Sequence, residues 1–121
     1  MINDFVSFRQ AEELSNLGFN YRCFASYGYK SKAISISMDG HDSRIIAPTY
    51  SYAFDWMRDH AKMFPTIETF FDEGMMFGFN IGVVDDQGVV SKKNCDCLYE
   101  SYREAQSECL DDMINMFKQI K

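Results

Sequence analysis

The sequence predicts an α+β fold: an antiparallel sheet of about five or six strands with three helices, ordered α-ββ(β)-α-βββ-α, the helices on one face. Three observations predict it. Apolar residues recur at helical spacing in three capped stretches, the two stretches between them change to a period of two, and glycine-containing turn signals punctuate those stretches. At 121 residues the chain is long enough for one core and too short for two ordinary domains. Residues 1–121 are therefore read as a single compact domain.

The first helix runs from about Phe8 to Leu17. Ser7 caps it, with Gln10 three residues later as a weaker form of the capping box, and Gly18 ends it with Phe19 placed to fold back on the last turn. Phe8, Ala11, Leu14 and Leu17 form its buried face, leaving Arg9, Glu12 and Glu13 outside.

From Tyr21 to Ala47 the period is two. Tyr21, Cys23, Ala25 and Tyr27 alternate with Arg22, Phe24 and Ser26, and a second strand places Ile34, Ile36 and Met38 on one face. With Gly28 and Asp39-Gly40 as turn signals, an antiparallel meander of two or three strands is expected.

Pro48 disfavours helix at Ala47, Thr49 is a suitable N-cap, and the second helix is expected to run to about Lys62 before Pro65 stops it. Its apolar stripe is Tyr50, Ala53, Phe54, Met57, Ala61 and Phe64, with Trp56 and His60 one turn apart on the flank. The second β region spans about Thr66 to Cys97, and the apolar run Met75 to Val84 suits a central strand. Gly78 and Gly82 interrupt that run and mark either a ligand shelf or a place where another group packs closely. Asp85-Asp86-Gln87-Gly88 reads as a turn in which the aspartates are turn formers. The last helix, Tyr102 to about Lys118, opens on the capping box Ser101/Glu104 and carries Tyr102, Ala105, Cys109, Met113, Phe117 and Ile120 as its inner stripe. The two strand-helix halves, about Tyr21 to Met63 and Thr66 to Lys118, invite comparison as a degenerate duplication.

A formal charge of −6 with dispersed Lys and Arg argues against a phosphate-backbone partner, so no direct nucleic-acid binding is expected. No apolar stretch approaches the roughly 20 residues that span a bilayer, and Met1 to Phe5 has no secretory pattern. No membrane association and a cytoplasmic location are the resulting expectations. Aromatic residues reach 16%, enough to fill a core and also to leave anchors or a patch that a symmetric homodimer would cover.

Four cysteines lie at Cys23, Cys95, Cys97 and Cys109. The Cys95-x-Cys97 spacing is narrower than structural zinc prefers, and a site would have to recruit His41, His60, Cys23 or Cys109 from distant elements. Reduced, partly buried thiols are the expectation, with no metal ligand and no cofactor. The chain has no nucleophile elbow, phosphate-binding glycine loop or metalloprotease motif, and only two histidines. No catalytic residue is assigned.

Three blocks nevertheless form a pattern: Phe5-Val6-Ser7-Phe8 with Leu14 and Leu17-Gly18-Phe19; Pro48-Thr49 with Ala53 and Trp56-Met57-Arg58; and Tyr99-Glu100 with Ala105 and Cys109-Leu110. In these blocks the chain resembles uncharacterised small proteins encoded by bacteriophages and prophages of gut Bacteroidales, departing at Met57, where leucine is usual, and in a less acidic Tyr102-Arg103. The shared blocks coincide with helix caps and stripes, so the resemblance implies a common fold and an accessory setting in a bacterial host.

The expected function is a small non-enzymatic phage or prophage accessory binding protein in the host cytoplasm. It acts either on a host protein or by sequestering a small signalling molecule; the alternatives are a small enzyme with an unrecognised site and a virion or assembly protein. For a ligand, Tyr27, Tyr29, Lys30, Lys32 and Arg44 are the local concentration of aromatics and cations. For a protein interface, the aromatic flank Tyr52, Trp56 and His60 supplies the anchors.

Overall fold

The computed structural model describes residues 4–36, 44–71 and 74–120. In chain order they form α1 (Phe8–Asn16), β1 (Ala25–Gly28), β2 (Ile34–Ile36), β3 (Arg44–Ile46), α2 (Tyr50–Ala61), β4 (Met63–Phe70), β5 (Met76–Val84), β6 (Val90–Asn94) and α3 (Tyr102–Ile120). The α+β class and the order of elements are those the sequence predicts. The six strands, however, form two three-stranded antiparallel sheets rather than one. The chain divides into two compact units, residues 1–53 and 54–121, which are described in turn.

In the first unit, Ser7 Oγ accepts the Gln10 backbone N–H at 3.1 Å while the Gln10 side-chain oxygen accepts the Ser7 N–H at 3.0 Å. The capping box is therefore complete, with glutamine serving as well as glutamate. The same Gln10 oxygen accepts the Tyr50 hydroxyl at 3.0 Å, which explains why this polar side chain is 0% exposed. At the other end of α1, Phe19 N–H reaches Leu14 O at 2.9 Å and Gly18 N–H reaches Ser15 O at 3.1 Å, the Schellman pattern. Gly18 has φ +102, where a side chain would be strained.

Sheet one has the order β2-β1-β3. β1 is central: Ala25 and Tyr27 are buried, Ser26 opposes both Ser35 and Ile46, and the Tyr27 hydroxyl donates to the Val6 carbonyl. This corrects the expected meander, because β2 and β3 flank β1 and do not pair with each other. The expected Asp39-Gly40 turn, with Ser37, Met38 and His41, lies outside the described residues. Tyr21 and Cys23 precede the strand rather than belonging to it. Val6 N–H donates to Pro48 O at 3.0 Å, and Phe5 bridges Thr49, so the segment before α1 lies along the segment before α2. Thr49 Oγ1 then accepts the Tyr52 N–H at 3.2 Å as the N-cap of α2.

In the second unit, α2 stops at Ala61, and Lys62, at φ 55, turns the chain directly into β4. Pro65 therefore does not end the helix; it sits within β4, an edge strand of the order β4-β5-β6, where a missing N–H is tolerated. β5 is the centre of a meander, as its apolar run predicts. Met63, Phe77, Phe79 and Ile81 are buried on one face, which α3 covers. Lys93, opposite Ile81 in the register, reaches Asp112 of α3 at 3.5 Å, and Phe77 meets Tyr102 edge-on. α3 opens with Ser101 Oγ accepting the Glu104 N–H at 3.1 Å and buries Ala105, Cys109, Leu110, Met113 and Ile114. In the Asp85–Gly88 turn, Asp85 Oδ1 accepts the N–H groups of Gln87 and Val89, both at 2.9 Å, so this aspartate is a turn former.

The two sheets differ in topology. The first strand of sheet one is central, whereas the second strand of sheet two is central. Strand order thus gives no support to a duplication of the two halves.

Gln10→Leu leaves the buried Tyr50 hydroxyl and the Ser7 N–H without their acceptor, so it is expected to lower unfolding stability by about 2–3 kcal/mol. A urea midpoint unchanged from that of the parent chain would show that this oxygen does not hold the first unit together.

Candidate functional site

The site begins at the β1–β2 hairpin. Gly28 N–H bonds Ala33 O at 3.2 Å, Lys32 N–H bonds Gly28 O at 2.9 Å, and the Ser31 hydroxyl accepts the Ala33 N–H at 3.2 Å. These bonds fold residues 29–33 into a tight loop with Lys32 at φ 55. Across the ladder from Gly28 stands Arg44. Its Nε donates to Ser26 Oγ at 2.7 Å and its Nη2 to the Ser26 carbonyl at 3.1 Å, fixing the guanidinium beside the loop. A Cβ added at Gly28 would lie 2.8 Å from Ser31 Oγ and 3.4 Å from Arg44 Nη1, so this position needs glycine for the close approach.

Gly28, Tyr29, Lys30, Ser31 and Arg44 enclose a hollow of about 360 Å³. Of the five residues expected from sequence to bind a ligand, the structure brings together Tyr29, Lys30 and Arg44. It does not bring Tyr27 or Lys32. Tyr27 is a core residue whose hydroxyl is committed to Val6, and its titration is pushed up by burial and then by Tyr50. Lys32 turns to the other side of the loop, with Nζ 5.5 Å from the Phe8 ring centroid. Gly28, read from the sequence as a turn signal, and Ser31, which the sequence reading does not single out, complete the lining.

The expected interface residues lie a turn apart on α2 and differ in exposure. Tyr52, 37% exposed, belongs to the first unit, where its ring lies 5.3 Å from Tyr21 and 6.5 Å from Phe19. Trp56 is only 2% exposed and stacks on Phe117 at 5.5 Å. It is a core residue and not a surface anchor. His60 is exposed, with its ring 5.2 Å from that of Trp56.

The proposed shelf at Gly78 is occupied by neighbours: a Cβ there would meet Leu98 and Phe70 at 3.1 Å and Cys95 Sγ at 3.2 Å. The glycine serves close side-chain packing. Cys95 Sγ also accepts the Phe79 N–H at 3.3 Å, and among the described residues no three His, Cys, Asp or Glu side chains converge. Asn80 donates to Glu68 on the same sheet face. Tyr99 is held well above the usual tyrosine range, first by its hydrogen bond with Cys97 and then by burial.

A second, larger cleft of about 690 Å³ was not foreseen. Three separate stretches build it: Phe5, the run Arg22-Cys23-Phe24, and Ala47, Thr49 and Tyr52. No local pattern links them.

Burial pushes the Cys23 thiol up to about 11, and burial, then the Asp112 charge, pushes Cys109 up to about 12, both from 9.0. The folded chain thus holds these protons more tightly than the unfolded chain does. Their contribution to stability is intact below pH 9.0 and is lost as the pH rises through about 11 and then about 12, which urea midpoints across the alkaline range will register. At neutral pH a thiol reagent should label exposed Cys97 first, and Cys109 only on unfolding. Set against known proteins, the chain matches no family model, no curated protein and no solved structure.

Proposed function

We propose that this is a non-enzymatic binding protein whose first unit holds a small phosphate-bearing aromatic molecule, of the mononucleotide class, at the β1–β2 hairpin. One observation carries the reading: in a chain of formal charge −6, Lys30 and a hydrogen-bonded Arg44 border one hollow together with the Tyr29 ring and the Ser31 hydroxyl. Arg44 and Lys30 match phosphate oxygens, Ser31 adds a neutral donor, and the exposed Tyr29 ring offers a stacking face for a base. The volume of about 360 Å³ lies at the lower end of the roughly 300–1,000 Å³ of ligand pockets. Resemblance in three sequence blocks to phage- and prophage-encoded proteins supports a role as an accessory factor in the cytoplasm of a bacterial host.

A specific observation favours self-association as a second property. On the face of sheet two opposite α3, Phe64, Phe70 and Leu98 are exposed, and Phe71 beyond the strand is 74% exposed. Phe70 and Leu98 meet over Gly78, while Phe64 stands apart from them across Thr66 and Glu68, so a symmetric dimer seated on the Phe70–Leu98 end removes that apolar cluster from water.

Calorimetric titration with adenosine monophosphate and with inorganic phosphate tests the ligand reading. The nucleotide should bind more tightly than phosphate, Lys30→Ala should weaken both by roughly tenfold, and Tyr29→Ala should weaken the nucleotide alone. Absence of heat with both probes removes the reading. Sedimentation velocity tests the second property: Phe70→Asp should convert a dimer to monomer, and a parent chain that stays monomeric at high concentration contradicts it.

A further inference from the structure

The larger cleft of the first unit has a different chemistry from the hairpin hollow. Its wall is the antiparallel bridge of Phe5 with Thr49, and Ala47 lies beside that bridge, held by its own N–H to Ala25 O at 2.9 Å. Tyr52 closes one side and is itself braced by the rings of Tyr21 and Phe19. Cys23 and Phe24 also line the cleft, and Phe24 is 64% exposed. The cleft volume of about 690 Å³ falls well within the roughly 300–1,000 Å³ typical of small-molecule sites.

Among the described residues that line it, Arg22 is the one charged side chain. Arg22 is exposed at the lining and makes no ion pair among the described residues. α2 begins at the cleft with Thr49 as its cap and no acidic residue in its own first turn, so the positive end of its dipole faces this region. Among the described residues no carboxylate lines the cleft, and burial keeps the Cys23 thiol protonated and neutral. A single cation over an apolar cavity suits a single anionic head on an apolar body. It does not suit a polyphosphate, which needs several donors.

We infer that the cleft between the 22–24 segment and the start of α2 binds an amphipathic monocarboxylic acid, with the carboxylate at Arg22 and the apolar body against Phe5, Phe24, Ala47 and Tyr52. The inference stands independently of the hairpin site, since the two sites share no lining residue.

Decanoate and its neutral counterpart decanol are the probes, titrated calorimetrically into the intact chain. Decanoate should bind more tightly than decanol, Arg22→Gln should weaken decanoate roughly tenfold and leave decanol unchanged, and Phe24→Asp should abolish binding of both. Arg22 and Phe24 are exposed, so both variants should keep the parent melting temperature. Lys30→Ala should leave decanoate binding as it was, which separates failure of this site from failure of the hairpin site. Equal affinity for acid and alcohol overturns the carboxylate assignment. Decanoate binding insensitive to both cleft variants, or no decanoate binding at all, overturns the site.

Discussion

The first unit depends on one oxygen atom. The side-chain carbonyl of Gln10 accepts from the Ser7 backbone and from the Tyr50 hydroxyl, so one buried acceptor closes the N-terminus of α1 and holds the first residue of α2. The capping residues are three apart, whereas Tyr50 is 40 residues away. A local helix signal has thus been used as a tertiary anchor. Because a buried amide without partners is costly, the arrangement tolerates few alternatives. Val6, between Phe5 and Ser7, bonds Pro48 and accepts Tyr27, extending the same network to the central strand of sheet one.

Both candidate sites follow from that anchoring. With Val6 along Pro48, Phe5 comes to lie opposite Thr49, and both residues line the cleft beside Cys23 and Phe24. The hairpin hollow rests on β1 being central, which sets Arg44 across from Gly28 and lets Ser26 hold its guanidinium. Each site is a few side chains mounted on main-chain hydrogen bonds made elsewhere. Their chemistries then diverge: one has two cations, a ring and a hydroxyl, and the other has a single arginine over apolar walls.

The second unit is organised by a glycine. Gly78 lies in the middle of the sheet, and Phe70, Leu98 and Cys95 meet over it. The opposite face is closed by α3, with Phe77, Phe79 and Ile81 beneath it. Tyr99 continues the pairing of β5 beyond β6 by exchanging hydrogen bonds with Phe77 at 2.8 and 2.7 Å, so the approach to α3 is itself part of the sheet. The apolar side chains on the helix-free face are left in water by this arrangement, and it is there that self-association is proposed.

The sequence by itself determined what is local. The capping pairs Ser7/Gln10 and Ser101/Glu104, the Gly18 stop, the Thr49 cap, the Asp85 turn and the middle of the α3 stripe, Ala105, Cys109 and Met113, are all set by residues within a few positions of one another, whereas Tyr102 and Ile120 at the stripe's ends are exposed. Three of the five residues lining the hairpin hollow, Tyr29, Lys30 and Arg44, were named from sequence, the first two as neighbours on one loop. Tertiary structure decided which strand lies between which, since alternation marks a strand and carries no information about its partner. It decided that Pro65 falls on an edge, that Lys32 turns to Phe8 and that Trp56 stacks on Phe117 in the core. It also assembled the apolar cleft from three distant segments. Each of these outcomes comes from contacts between residues far apart in the chain, and periodicity within a single element does not encode them.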